Sequence, residues 1–117
     1  MNERFAIVVD EADPCTVLIT GRIPDSGQAQ FADALARAVR GSRCRLDLTG
    51  LEALHVAARQ VLFVLAQEVD LELLIRSGGP VAHAVHASGL DRLVIVHEVF
   101  TLRAQRKRPS IRTAASA

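Results

Sequence analysis

Short apolar runs, each closed by turn residues, divide the chain. Phe5–Val9 (FAIVV) is β-branched and ends in the acidic segment Asp10-Glu11-Ala12-Asp13-Pro14, so it reads as a strand and a loop. Cys15–Ile23 (CTVLITGRI) reads as a second strand at a separation that suits an antiparallel hairpin, and Pro24 ends it because proline cannot donate to a sheet ladder. The pattern then changes period. Phe31, Leu35 and Val39 recur every four residues, with Ala32, Ala36 and Ala38 beside them, which predicts an amphipathic helix from about Ser26 to Arg40. Asp25 is its expected N-cap, with Gln28 near capping-box spacing, and Gly41-Ser42 closes it.

Arg43–Leu48 is the third predicted strand, with Thr49-Gly50 as its turn. From His55 to Glu68 the run VLFVLA is apolar without a break and fits a strand or a buried helix. Its length and its Ala, Leu, Gln and Glu content favour a helix. Leu71–Ile75 is a fourth strand, and Pro80 suits the first turn of a third helix that stops at Gly89. Arg92–Val96 is the fifth strand, and His97 to about Arg106 is a short last helix. The order β-β-α-β-α-β-α-β-α predicts an α/β fold. Its five-stranded sheet is mixed and mostly parallel, with right-handed crossovers and about four helices.

Composition narrows the setting. With 117 residues, half of them apolar and only four aromatic, all Phe, the chain makes one domain with a core of Val, Leu, Ile and Ala. No apolar run reaches the ~18 residues of a membrane span, and MNERFAIVVD lacks the pattern of a signal peptide, so a cytoplasmic setting is expected. The formal charge of +1 conceals an asymmetry: five of the fourteen cations fall from Arg103 onward, where there is no acid, and residues 1–102 carry a net −4. A slightly acidic body argues against nucleic acid as a direct partner. The domain is expected to span residues 1–106, and residues 107–117 to form a basic disordered tail.

The candidate chemistry is sparse. Cys15 and Cys44 lack zinc-site spacing and read as small hydrophobes, or as a redox pair if parallel neighbouring strands bring their starts together. His83 and His86 project from the third helix toward solvent, with no third ligand at helical spacing, so no metal and no cofactor are expected. Thr49 and Ser26 are hydroxyls that bond turn backbone or accept a phosphate, and Asp47 is expected to satisfy backbone N–H groups of the next turn. With Val61, Val64 and Leu65 toward the sheet, Phe63 falls among Arg59, Gln60 and Gln67, where it either forms a contact surface or lies under a neighbouring helix. No nucleophile, base and oxyanion-donor set appears, so the chain is not expected to be an enzyme.

Three strings carry a family resemblance: Val17-Leu18-Ile19-Thr20-Gly21-Arg22-Ile23, Leu46-Asp47-Leu48-Thr49-Gly50-Leu51 and Gly89-Leu90-Asp91-Arg92-Leu93. In this order they resemble the STAS domain, shared by bacterial anti-sigma factor antagonists and sulfate-transporter tails, over about residues 5–106. The resemblance implies a non-enzymatic module that binds a kinase-like anti-sigma factor. The alternative is a self-associating scaffold, such as a homodimer, or a small-ligand sensor. In the best-known members the third strand leads into Asp-Ser-Ser-Gly or Asp-Ser-Ala-Gly, whose serine the partner phosphorylates. Here the stretch is His55-Val56-Ala57-Ala58, so the phosphate acceptor is missing at Val56. The segment from Ala58 to the fourth strand is also shorter than usual, which implies a helix cut by a turn or more. On this reading the second helix and the adjoining rim carry the partner contacts, expected at Asp25, Ser26, Thr49, His55, Val56, Arg59 and Phe63, and His55, nearer the rim than His83 and His86, is a candidate pH-sensitive group.

Overall fold

A computed structural model describes residues 5–100. Strands β1 (Phe5–Val9) and β2 (Thr16–Gly21) form the expected antiparallel hairpin, in register Val9↔Val17 to Phe5↔Gly21. The acidic connection is fixed by its own carboxylates. Asp10 Oδ1 accepts from the Ala12 amide at 2.9 Å, and Asp13 Oδ2 accepts from Thr16 Oγ1 at 2.9 Å. A 3-10 turn, Asp25–Gly27, then leads into α1, Gln28–Ala38. The chain continues through β3 (Arg43–Leu51), α2 (Val56–Glu68), β4 (Asp70–Arg76) and α3 (Pro80–Ser88). A second 3-10 turn, Leu90–Arg92, precedes β5, Ile95–Val99.

The five strands stand in chain order, β1-β2-β3-β4-β5. The pairings β2–β3, β3–β4 and β4–β5 are parallel, and β1–β2 is antiparallel, which makes the sheet mixed. Helices α1, α2 and α3 are therefore successive crossovers that all step in one direction. Right-handed crossovers stepping one way place their helices on one face of a sheet. Burial follows that rule. Val17 and Ile19 on β2, Leu46 and Leu48 on β3, and Leu71, Leu73 and Ile75 on β4 are buried in a single core. Phe31 and Leu35 of α1, Ala58 and Leu62 of α2, and Val81 and Val85 of α3 meet them there. Phe5 packs edge-to-face on Phe31, with centroids 5.7 Å apart. Alternate residues form an open face, among them Val8, Arg45, Glu72, Ile95 and His97.

Several expectations are corrected. Three α-helices, not about four, occur among the described residues. His97–Val99, expected to begin the last helix, are in β5, where Leu74↔His97, Ile75↔Glu98 and Arg76↔Val99 extend the ladder. The rest of that expected helix, and the tail, lie outside the described residues. Thr49-Gly50 is not a turn but the end of β3. The β2–β3 register shifts between Leu18 and Thr20, so that Gly50 faces Thr20. Asp25 does not cap α1: it lies in the 3-10 turn, and Gly27 takes the cap position with no side-chain bond. The third helix behaves as expected, with Pro80 in its first turn and Gly89 stopping it at φ +84°.

Candidate functional site

The rim at the C-terminal ends of β2–β5 is built around the step from β3 into α2. Leu51 and Leu54 are buried and anchor the connection. His55, in extended backbone, is the N-cap of α2, and neither it nor any neighbour gives the helix a side-chain cap. The missing cap costs about 1 kcal/mol of local stability and leaves first-turn N–H groups without a side-chain partner. Val56, the first helical residue, is 57% exposed although apolar. Arg59 turns back on the connection, where Nη1 donates to the Leu54 carbonyl at 3.3 Å and the Arg59 amide donates to the His55 carbonyl at 2.9 Å. The 3-10 turn bearing Asp25 and Ser26, both exposed, packs beside α2. One turn further along, Gln28 Nε2 donates to Gln60 Oε1 at 3.2 Å and joins α1 to α2.

Asp25, Ser26, His55, Val56 and Arg59 are thus brought together. Thr49 and Phe63 are not part of that cluster. Thr49 shares the strand parity of Arg45 and Asp47 on the open face. Its hydroxyl donates to Asp47 Oδ1 at 2.6 Å, and the same carboxylate oxygen accepts the Thr49 amide at 3.0 Å, the role expected for Asp47. Arg76 Nη2 donates to the Thr49 carbonyl at 2.6 Å, which ties β4 to the end of β3. Phe63 is half-buried against the core, whereas Val64 is 56% exposed. The phase of α2 is shifted from the expected one: Ala58 and Leu62 take the inward positions, Val61 and Leu65 are half-buried beside them, and Val64, not Phe63, stands outside.

That rotation exposes a feature the sequence reading missed. An apolar groove of about 830 Å³ runs between α1 and α2, lined by Ala32, Leu35, Val39, Val61, Val64 and Leu65 among others. The small side chains Ala29, Ala32 and Ala36 along α1 were the available signal, since they leave room beside an apolar neighbour.

Elsewhere, Cys15 and Cys44 both carry free thiols at the starts of paired strands, where the Arg45 amide donates to the Cys15 carbonyl at 2.8 Å. Cys15 is exposed. Cys44 is buried, and its thiol is pushed up to about 11, first by desolvation and then by Cys15 nearby. His83 and His86 do face solvent. Among the described residues no group of three or more His, Cys, Asp or Glu side chains is arranged to hold a metal ion, and no helix is long and apolar enough to cross a membrane.

No protein-family model matches the sequence, and no curated protein matches it. Solved structures match in fold. An anti-sigma factor antagonist from Mycobacterium paratuberculosis is 20% identical, with 89% of this chain and 92% of that chain covered at a TM-score of 0.70. A protein from Thermotoga maritima, described as a candidate anti-sigma factor antagonist, is 14% identical, with 88% and 92% covered at a TM-score of 0.58. The chain shares their fold, the STAS fold, over about nine-tenths of its length.

Proposed function

We propose that the chain is a non-enzymatic, cytoplasmic interaction module that binds an anti-sigma factor through the rim at the start of α2, with no serine-phosphorylation switch at that position. The fold held in common with solved anti-sigma factor antagonists supports the kind of partner. The observation that carries the second half is Val56: the first residue of α2 is exposed and has no atom that accepts a phosphoryl group. Asp25, Ser26, His55, Val56 and Arg59 supply the contact surface, in which an apolar side chain stands among polar ones as in the centre of many interfaces. Thr49 and Phe63, expected contacts from the sequence, act from behind that surface by fixing the strand end and the helix.

Titration calorimetry with the kinase-like anti-sigma factor of the native host tests the proposal, with and without ATP. Binding whose affinity is unchanged by ATP, with no phosphate incorporated into the chain, is the expected result. A folded chain that does not bind, or a complex dissolved by ATP, overturns it. The second reading, a self-associating scaffold or small-ligand sensor, draws on the groove between α1 and α2. Dimers in sedimentation experiments on the isolated chain, without binding to the anti-sigma factor, would favour that reading.

A further inference from the structure

Edge strand β5 has little hydrophobic anchorage. Val96 is half-buried, while Ile95, His97, Glu98 and Val99 are exposed. Beyond its ladder with β4 it is held by two histidine–carboxylate ties, one on each face of the sheet. On the open face, His97 Nε2 lies 3.2 Å from Glu72 Oε1. On the helical face, Glu98 Oε2 lies 2.9 Å from Nε2 of His86, near the end of α3, and Nδ1 of the same ring lies 2.8 Å from Asp91 Oδ2.

The two faces differ in what a proton does. A neutral imidazole has one N–H and one lone pair, so it cannot donate to two carboxylates at once. Two short contacts from opposite ring nitrogens to carboxylate oxygens describe an imidazolium. We propose that His86 is a proton-operated latch: doubly protonated, it clamps strand β5 to α3 through Glu98, and on losing a proton it lets Glu98 go. Asp91 is the partner retained, because it is only five residues from His86 across the turn at Gly89, whereas Glu98 is twelve residues away. Among the described residues Glu98 has no other side-chain partner, so release leaves its carboxylate facing a ring lone pair. Glu72 differs, because Arg45 Nη2 holds it at 3.3 Å whatever the state of His97. The charged and titratable groups on the elements packed about His86 are His83 on α3, Asp91 and Arg92 in the turn, Asp70, Glu72 and Arg76 on β4, and His97 and Glu98 on β5. Of these, Asp91 and Glu98 bond its ring. The pair of carboxylates raises the His86 pKa above its ordinary value, through the bond to Asp91 first and that to Glu98 second, which brings release toward physiological pH.

Glu98 is the residue before the rim end of β5, where the Val99 carbonyl accepts the Ser77 amide at 2.8 Å, next to Arg76 and its bond to Thr49. The latch stands whether or not the chain binds an anti-sigma factor. Amide hydrogen exchange of Val96–Val99, followed by NMR from pH 5.5 to 8.5 and corrected for intrinsic exchange, tests it alongside ring ¹⁵N shifts of His86. β5 protection should fall about two- to fivefold as the His86 ring titrates, the range expected for one exposed ion pair, while β2 and β3 protection stays level. His86→Gln and Glu98→Gln should each give low β5 protection that no longer follows pH, and His97→Gln should keep the pH dependence. Level β5 protection in the unmodified chain overturns the latch. So does pH dependence that survives both Glu98→Gln and His86→Gln, or that disappears only in His97→Gln.

Discussion

Gly50 lies so close to Thr20 across the β2–β3 register shift that a Cβ on Gly50 would stand 2.7 Å from Thr20 Cγ2. No ordinary contact is that short, and Thr20 is β-branched and stiff at χ1. The glycine therefore permits the irregularity by which β3 runs on to Leu51 and carries the chain to the rim. Gly50→Ala should lower stability by about 1–2 kcal/mol, a typical overpacking cost. Thr20→Ser removes the clashing methyl and should recover part of the loss, which a double-mutant cycle in urea would measure. Additive effects would show that the two side chains do not meet.

The phase of α2 gives a second prediction. Phe63→Asp puts a carboxylate against the core and should destabilise by about 2–4 kcal/mol, whereas Val64→Asp, at a position 56% exposed, should stay within ~0.5 kcal/mol of the parent. Thermal unfolding of the two variants checks the order. A stable Phe63→Asp chain would restore the outward phase.

Much of the fold was legible because local chemistry and tertiary structure agree. The hairpin is marked by the Asp10–Pro14 segment, and α3 by Pro80 and Gly89. Where several packings suited the same residues, the sequence could not choose. VLFVLA is apolar on every side, so its phase is set by the sheet beneath it, which selected Ala58 and Leu62. His97 and Glu98 look like helix-surface residues, yet pairing with Leu74 and Ile75 draws them into a strand. Thr49-Gly50 carries turn chemistry but continues β3, because Gly50 pairs with Thr20 just past the register shift and the glycine is used there instead. At the rim, the lack of a hydroxyl at Val56 could be read directly. The groove between α1 and α2 could not, since it depends on how far apart two helices settle.

Two exposed clusters contribute opposite limbs to the pH profile of stability. Glu72 is held below its ordinary value of 4.5, first by the bond from His97 and also by Arg45. A depressed folded pKa contributes stability that is present above 4.5 and is lost as pH falls through the lower folded value. His86 is raised above 6.5, so its contribution is complete below 6.5 and is lost as pH rises through the folded value. The two effects together favour the window between, about pH 5 to 6.5. Urea midpoints should fall on both sides of it. Glu72→Gln should flatten the acid limb alone and His86→Gln the alkaline limb alone. A single variant that flattened both would show that the clusters are coupled.

The thiols should differ in reactivity. Cys15 is exposed, whereas Cys44 is buried with its thiol raised from 9.0 to about 11. Since the thiolate is the nucleophile, the raised pKa cuts the Cys44 thiolate fraction about a hundredfold at pH 8; the greater nucleophilicity of a more basic thiolate offsets part of that, and burial slows Cys44 further. Mass spectrometry of the native chain after brief iodoacetamide treatment should find one adduct, at Cys15. Equal labelling would mean that the start of β3 opens freely.

Val56 offers the sharpest test of the rim. Side chains on the first turn of a helix lie over the N-terminal N–H groups, and a carboxylate there is stabilised by the helix dipole by about 0.3–1 kcal/mol. Val56→Asp should therefore leave the fold as stable as the parent or slightly more so, while placing a charge in the centre of the proposed apolar contact. Loss of at least tenfold in affinity for the anti-sigma factor, with an unchanged or raised unfolding midpoint, is the expected outcome by calorimetry and urea denaturation. Val56→Ser, which installs a hydroxyl at the same place, should bind like the parent until a kinase and ATP are supplied, and if it then becomes phosphorylated it should dissociate. Parent-like affinity in a folded Val56→Asp chain would move the contact away from this corner.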